Sequence, residues 1–200
     1  RGQEEGLQDR IRVLDQDYRD LRGEFDKLVS IEMIEAVGHA WLPGFFRVLG
    51  RLVRPGGRML IQAITMAEDR YDRYLRGVDF IQRHIFPGGC LPSVSLMCRL
   101  LAQETDMKLL RVHDHGPHYA RTLEIWRERF LALAPELLRQ GFTPDFIRLW
   151  EFYFAYCEGG FHEGPLSLVH LEARRPGGTS SPEPLFFPGP PGCGFREPAR

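Results

Sequence analysis

The sequence lacks the features that mark several large classes of protein. No apolar run approaches the roughly 20 residues that cross a bilayer. No block of basic residues indicates nucleic-acid binding, and the formal net charge is only −1. The four cysteines are widely spaced and form no CxxC pair. We therefore expect free thiols in a reducing cytoplasm.

What is present suits one packed domain followed by a tail. Of the 200 residues, 43% are hydrophobic and 12% aromatic, which is enough for a single core. Residues 176–200 hold seven prolines and five glycines, and such a segment buries too little apolar surface to fold. We therefore predict a domain over residues 1–174 and a disordered Pro/Gly-rich tail over residues 175–200.

The first part of the chain has the pattern of an α/β fold. Residues 10–14 alternate charged and apolar side chains, which predicts a short strand. Residues 25–31 form a more apolar strand, and apolar spacing predicts a helix over about residues 40–53. Pro55-Gly56-Gly57 then predicts a turn before a strand over residues 59–64. Strand, helix and strand in this order predict a parallel pair with a right-handed crossover.

The second part of the chain is richer in predicted helices. Residues 65–84 are predicted to form a helix or lid, and the Pro/Gly-rich residues 85–93 an irregular loop. A helix capped by Ser93 and a strand over residues 107–113 follow. A second helix opens at Thr122, and Pro135 ends or kinks it. A third helix is capped by Thr143 and closed by Gly159-Gly160, and a last strand covers residues 166–171.

Two carboxylates, Glu32 and Glu35, follow the apolar strand over residues 25–31. In an open α/β sheet the carboxyl ends of the strands face the ligand crevice, which favours a catalytic carboxylate. A glutamate is equally favoured at a helix N-terminus by the helix dipole alone. Position by itself leaves both interpretations open.

Five segments together resemble one family. They are FDKLVSIEMIEAVG, LVRPGGRMLIQAI, HIFPGGCLPSV, HYARTLEIWRERFLA and FYFAYCEGGF, in this order. Over roughly residues 10–174, the chain resembles the cyclopropane-fatty-acyl-phospholipid synthases, relatives of the mycolic acid cyclopropane synthases. The resemblance implies the C-terminal half of a Rossmann-like methyltransferase dependent on S-adenosylmethionine (SAM), an α/β fold with a mostly parallel sheet and helical insertions.

The resemblance also implies a reaction. The family transfers a methyl group from SAM to a cis double bond of a phospholipid acyl chain, and a carbocation forms. A bound bicarbonate is understood to remove a proton from the added methyl group, after which the cyclopropane ring closes. Such chemistry needs apolar, aromatic walls that exclude water. A protein acting on phospholipid is expected to be cytoplasmic and peripheral to the membrane. Residues 65–84 are a candidate membrane contact or simply a solvated helix.

Matching positions imply where the bicarbonate site lies. Glu35 and Tyr119 match its carboxylate and its tyrosine, and Ile64 matches a position that acts through its backbone. Gln62 stands where the family commonly has histidine, so it donates a hydrogen bond but does not titrate. Ala36 follows Glu35 where the family usually has histidine.

Other residues are implied in binding. Tyr18 matches the region that walls the adenine of SAM. Phe152, Tyr153 and Tyr156 are interpreted as partly helix core and partly lining of the acyl pocket. A metal at His113, His115 and His118 is not expected, because no convergent carboxylate or cysteine partner is evident. Cys90 is read as a structural thiol, since a nucleophile would need a nearby base.

One motif of this class is absent from the sequence. No N-terminal strand leads into an acidic-x-Gly-x-Gly loop, which lets the backbone approach SAM. The resemblance aligns Arg10–Leu14 with the family's third strand. We therefore expect that the first strands are lacking and that an N-terminal half, or a second copy in a homodimer, completes the fold. The alternative is a non-catalytic remnant with a lipid-binding groove.

Overall fold

The structure, a computed structural model, describes residue 6 and residues 9–177. In this part of the chain a four-stranded sheet is flanked by helices. The strands are β1 (Phe25–Ile31), β2 (Val53–Met66), β3 (Lys108–Asp114) and β4 (Leu166–Arg174). The helices are α1 (Leu42–Leu52), α2 (Glu68–Leu75), α3 (Phe80–His84), α4 (Val94–Glu104), α5 (Gly116–Arg139) and α6 (Pro144–His162). Short 3₁₀ turns cover Tyr18–Asp20, Ile34–Ala36 and His39–Trp41.

The sheet is mixed, with strand order β1-β2-β4-β3. β1 and β2 are parallel, as predicted, whereas β4 is antiparallel to both of its neighbours. Three strands therefore share one direction, but only one of the three pairings is parallel, which corrects the expected mostly parallel sheet. The cause is the hairpin of α5 and α6. These two antiparallel helices return the chain to the end of the sheet at which β3 finishes, so β4 runs back in the opposite direction between β2 and β3.

The larger core lies between one face of the sheet and helices α1 and α4. Alternate residues of β2 and β4 point into it, as the two-residue period of a strand requires. Its buried members include Met59, Ile61, Leu171, Phe45 and Met97. Phe45 and Phe46 of α1 have no exposed surface. This core holds the carboxyl ends of β1 and β2 in place.

The smaller core lies on the opposite face of the sheet. It joins Leu168 of β4 to Ala120 and Leu123 of α5 and to Phe154 and Phe161 of α6. The aromatic rings of the two helices interdigitate, and this packing fixes the helical hairpin on the sheet.

Two predictions in the first part of the chain differ from the structure. Residues 10–14 are not a strand: they join no sheet in the described chain, and Val13 is 88% exposed. An extended segment without a neighbouring strand has no ladder of hydrogen bonds to hold it. The Pro55-Gly56-Gly57 segment is not a turn that precedes β2. It lies within β2, where the register of the β1–β2 pairing shifts. Gly57 is required there, because a Cβ atom would stand 2.9 Å from the Asp26 carbonyl oxygen.

Helix ends were also predicted incompletely. α5 begins at Gly116 rather than Thr122, since Pro117 in its first turn favours an earlier start, and Pro135 lies inside the helix without ending it. α6 is capped by the Thr143 hydroxyl, as predicted, but continues through Gly159-Gly160 to His162. A Cβ atom on Gly160 would stand 2.7 Å from Leu166 Cδ1, so this glycine allows β4 to approach the helix.

The C-terminal boundary lies close to the end of β4. Arg175, which the prediction assigned to the tail, is held inside the fold. Its amide donates to the Gly57 carbonyl and its guanidinium to the Val53 carbonyl and Asp106. The rest of the predicted tail, from residue 178, lies outside the described residues. No helix in the described part of the chain is long and apolar enough to cross a membrane.

Candidate active site

A large cleft opens at the carboxyl ends of β1 and β2. Its volume is about 1730 Å³, and its walls come from α2, α3, the loop after α3, and the hairpin of α5 and α6. We call it the acid cleft, because Glu32 and Glu35 both face it. Most of its other lining is apolar or aromatic, including Leu123, Phe161 and Tyr153. Two carboxylates in mostly apolar surroundings favour acid–base or cation-stabilising chemistry.

Glu35 lies in the 3₁₀ turn that follows β1. Its Oε1 accepts a hydrogen bond of 2.7 Å from the backbone N–H of Ile64 in β2. Its Oε2 is buried and has no hydrogen-bond partner among the described residues. Burial raises the pKa of Glu35 to about 7, with the nearby negative charge of Glu32 adding to the shift. Glu35 and the Ile64 backbone, which were each predicted for the bicarbonate site, are hydrogen-bonded to each other in the structure.

Glu32 is the residue that sequence reasoning left without a role. It has a φ of +49°, the only positive value among the described non-glycine residues. A left-handed backbone costs a non-glycine residue about 1–2 kcal/mol, so the surroundings must hold it. Its amide donates to the Gln62 carbonyl at 2.9 Å. This backbone turns the carboxylate towards the acid cleft.

Both oxygens of Glu32 accept hydrogen bonds from residues predicted for the site. Gln62 Nε2 donates to Glu32 Oε1 at 2.7 Å. The Tyr119 hydroxyl, which reaches across from α5, donates to Glu32 Oε2 at 3.3 Å. Tyr119 is braced by the Phe161 ring at a centroid distance of 5.0 Å, and burial raises its pKa above the usual value. The Tyr119 hydroxyl thus remains a hydrogen-bond donor at neutral pH.

His170 extends this network on the side away from Tyr119. It pairs with Gln62 in the β2–β4 ladder, and its Nε2 lies 2.8 Å from Gln62 Oε1. Since Gln62 Oε1 only accepts, His170 donates here, which orients the Gln62 amide so that its NH₂ faces Glu32. Burial lowers the pKa of His170, so the ring is neutral at pH 7. Only the strand register could have revealed this partner, because His170 is far from Gln62 in sequence.

Two of the three aromatic residues predicted for the acyl pocket line the acid cleft, and the third does not. Tyr153 and Tyr156 line the acid cleft. Phe152 lies on the neighbouring face of α6, is 53% exposed, and packs edge-on against Phe80 at 4.7 Å. Phe152 is therefore outside the cleft lining. Whether these residues contact substrate remains a prediction.

A second, smaller hollow of about 690 Å³ lies beside Tyr18, and we call it the Tyr18 hollow. Tyr18 packs edge-on against Phe45 at 5.6 Å. The lining combines apolar and aromatic side chains, among them Met33, Val37 and Trp41, with three arginines: Arg19, Arg47 and Arg51. Ala36 lines both the Tyr18 hollow and the acid cleft. The turn after β1 therefore contributes its apolar side chains to one space and its carboxylates to the other.

The remaining reactive candidates lie near the site. The Cys90 amide donates to the Glu35 carbonyl at 2.8 Å, and burial raises the pKa of the Cys90 thiol, which disfavours a nucleophilic thiolate. The rings of His115 and His170 lie tilted against each other, with their centroids 4.4 Å apart. Within residues 9–177, no group of three or more His, Cys, Asp or Glu residues is arranged to hold a metal ion.

The fold defines the class of protein: it is that of the SAM-dependent methyltransferases. A solved structure with this fold is mycolic acid cyclopropane synthase CmaA1 complexed with SAH and CTAB, with a TM-score of 0.73 and 26% identity. The match covers 82% of this chain and 60% of that one.

The chain belongs to the mycolic acid cyclopropane synthetase family, whose profile matches residues 1–171. It is 44% identical over 161 residues to tuberculostearic acid methyltransferase UfaA1 of Mycobacterium tuberculosis, covering 80% of this chain and 38% of the relative. It is 36% identical over 166 residues to cyclopropane-fatty-acyl-phospholipid synthase of Escherichia coli, covering 82% and 41%. The chain thus spans about two fifths of the length of these relatives.

Proposed function

We propose that this protein transfers the methyl group of SAM to a cis double bond in an unsaturated phospholipid acyl chain, and that the product is a cyclopropane. The observation that supports this most strongly is the pair of carboxylates, Glu32 and Glu35, at the end of a mostly apolar cleft. An alkene attacking a methyl sulfonium leaves a carbocation, which fixed negative charge stabilises in surroundings that exclude water.

The two spaces suit the two substrates. The Tyr18 hollow offers aromatic and apolar surface for the adenine of SAM, and Ala36 lines both this hollow and the acid cleft. The acid cleft, at about 1730 Å³, is large enough for a long acyl chain. A methyl group passing from one space to the other would cross at the turn that carries Glu35.

We further propose that the protein is cytoplasmic and acts at the membrane surface, because its substrate resides there. Near the cleft mouth Val78 is 74% exposed and Phe86 is 55% exposed. Arg70 and Arg73 line the same opening together with Asp69 and Asp79. The exposed apolar side chains, rather than a net positive charge, therefore suit transient contact with the bilayer surface.

The family resemblance implies bicarbonate as the base, but the residues of this chain do not suit an external anion. The Ile64 N–H is bonded to Glu35, and the Gln62 amide and Tyr119 hydroxyl are bonded to Glu32. A bicarbonate at these donors would also face two carboxylates, with repulsion that apolar surroundings strengthen. We therefore derive no step through bicarbonate.

A second product is favoured by one comparison. The relative with 44% identity is named a methyltransferase rather than a cyclopropane synthase. A methyl-branched acyl chain that keeps a double bond would arise from the same carbocation if the proton were lost from a neighbouring carbon instead of the new methyl group. The two products have the same first step and differ only in which proton is removed.

The test is to express the whole coding sequence in a bacterium whose own cyclopropane synthase gene is deleted, and to analyse fatty acid methyl esters by gas chromatography and mass spectrometry. A product heavier by one CH₂, labelled from methyl-labelled SAM, is expected. Hydrogenolysis then separates cyclopropane from methyl branch. No labelled lipid would contradict the proposal and favour a non-catalytic lipid-binding protein.

A further inference from the structure

The position that an external anion would occupy in the acid cleft is already filled by a side chain of the protein. Gln62 and Tyr119 come from different elements, β2 and α5, yet both donate to one carboxylate, that of Glu32. His170 fixes the direction of the Gln62 amide, so the donor arrangement does not depend on a ligand. The groups that would hold an external carboxylate-like anion therefore hold a side chain instead.

The backbone supports the same conclusion. Glu32 keeps a left-handed φ of +49°, a conformation that glycine adopts without cost. A glutamate at such a position carries backbone strain that a glycine would not. The hydrogen bonds of the carboxylate offset that strain and hold it at the acid cleft, which Glu32 lines together with Glu35 and Tyr153.

The geometry points to Glu32 as the catalytic base: its carboxylate takes the place of an external bicarbonate and removes the proton that ends the reaction. This inference rests on the proposed function, since it assigns a residue to that reaction. Glu32 would be a catalytic residue, whereas Gln62 and His170 are positioning residues that act through it. Glu35 stays beside it, anchored on the Ile64 N–H.

The electrons balance without a further reactant. The alkene π pair forms the new C–C bond as the S–CH₃ bond of SAM breaks, and neutral S-adenosylhomocysteine leaves. The neighbouring carbon carries the positive charge. Glu32 takes a proton from the new methyl group, and the C–H electron pair closes the ring. The carboxylic acid then returns its proton to solvent through the open cleft.

The experiment compares wild type with Glu32→Gly and Glu32→Gln, produced from the whole coding sequence. Glycine suits the backbone and vacates the anion position, whereas glutamine keeps the shape but cannot take a proton. The matched control is Glu128→Gln, an exposed position on α5. Methyl transfer from labelled SAM to vesicles of a cis-monounsaturated phospholipid is measured in carbon-dioxide-free buffer and with added bicarbonate. Melting temperature checks that each variant folds.

We expect wild type and Glu128→Gln to transfer methyl groups equally well with and without bicarbonate. Both Glu32 variants should lose about 100-fold or more in rate, the usual range for a general base. Added bicarbonate should restore Glu32→Gly at least about tenfold by entering the vacated position, and should leave Glu32→Gln inactive. In a readout independent of activity, carbon-13 bicarbonate should show broadened NMR signals with Glu32→Gly but not with wild type.

Three results would overturn the inference. They are a wild-type rate that depends on bicarbonate, bicarbonate binding to wild type, and a folded Glu32→Gly that works as fast as wild type in its absence. Each of these leaves the proposed methyl transfer intact. A wild-type protein that transfers no methyl group fails at the earlier step, and it removes the proposed function and the role of Glu32 together.

Discussion

The Tyr18 hollow and the acid cleft share one wall but differ in chemistry. Both include Ala36, yet the hollow is lined by Met33 and Val37 and the cleft by Glu32 and Glu35. The two sets of side chains alternate along a single short turn after β1. One turn can therefore direct apolar side chains into one space and carboxylates into the other, with Ala36 lining both.

Substitutions in the two spaces should therefore affect different steps of the reaction. Changes in the acid cleft should alter the chemical step, changes in the Tyr18 hollow should alter SAM binding, and a change at Ala36 should affect transfer between them. Results that mix these effects would show that the two spaces act as one.

Among the substitutions that compare the two spaces, Glu35→Gln should have the largest effect. Glutamine keeps an oxygen for the Ile64 N–H but replaces the buried, unpartnered Oε2 by an NH₂ group, so charge that stabilises the carbocation is lost. The rate of methyl transfer should fall by about 100-fold, with the Kd for SAM within about twofold. Quenched-flow assays and calorimetry measure the two quantities. A loss of SAM affinity instead of rate would break the separation.

The pH dependence of stability should follow from the same carboxyl. Its pKa is raised from 4.5 to about 7 in the folded protein, so the folded state holds a proton that the unfolded state releases. The contribution of Glu35 to the free energy of unfolding is fully present below pH 4.5. It is lost as the pH rises through about 7, and the total loss is up to about 3 kcal/mol.

Urea unfolding of wild type and Glu35→Gln between pH 4.5 and 8 isolates this contribution, because all other groups are common to both. The difference between the two free energies of unfolding should change between pH 4.5 and about 7 and level off above pH 7. A difference that does not vary with pH would show that Glu35 is as hydrated folded as unfolded.

Ala36→Leu should have the next largest effect. Ala36 is exposed, so a leucine there extends into both spaces without being packed into the core. We expect transfer to slow about tenfold, because a small displacement of the reacting groups is enough to lower the rate. Ala40→Leu is the matched control, since Ala40 is exposed in the 3₁₀ turn His39–Trp41 and lies in neither lining. Equal losses in both variants would trace the effect to folding rather than to the passage.

Much of the fold around this turn follows from local sequence. The strand over 25–31, the helix that begins near residue 42 and the Thr143 cap were predictable, because periodicity and capping are local properties. The direction of β4 was not, since it depends on how α5 and α6 pack together. Residues 10–14 look like a strand locally but have no neighbouring strand in the described chain.

The candidate site was predictable only in part and for the same reason. Glu35, Ile64, Gln62 and Tyr119 were placed by a family pattern, and the structure brings them to one cleft edge. The role of Glu32 depends on a left-handed backbone that no residue-type preference indicates for glutamate.

The smallest effect is expected from a substitution at Tyr18, which changes the Tyr18 hollow and leaves the acid cleft intact. Removing the ring in Tyr18→Ala takes away aromatic surface worth about 0.5–1.5 kcal/mol, so the KM for SAM should rise about 3- to 10-fold while kcat stays within about twofold. Tyr156→Ala, a ring on the acid cleft, is the counterpart and should raise the KM for lipid but not for SAM. Steady-state kinetics with each substrate varied in turn distinguish the two. If Tyr18→Ala lowers kcat as much as it raises KM, the hollow contributes to the chemical step, and the turn does not divide binding from reaction.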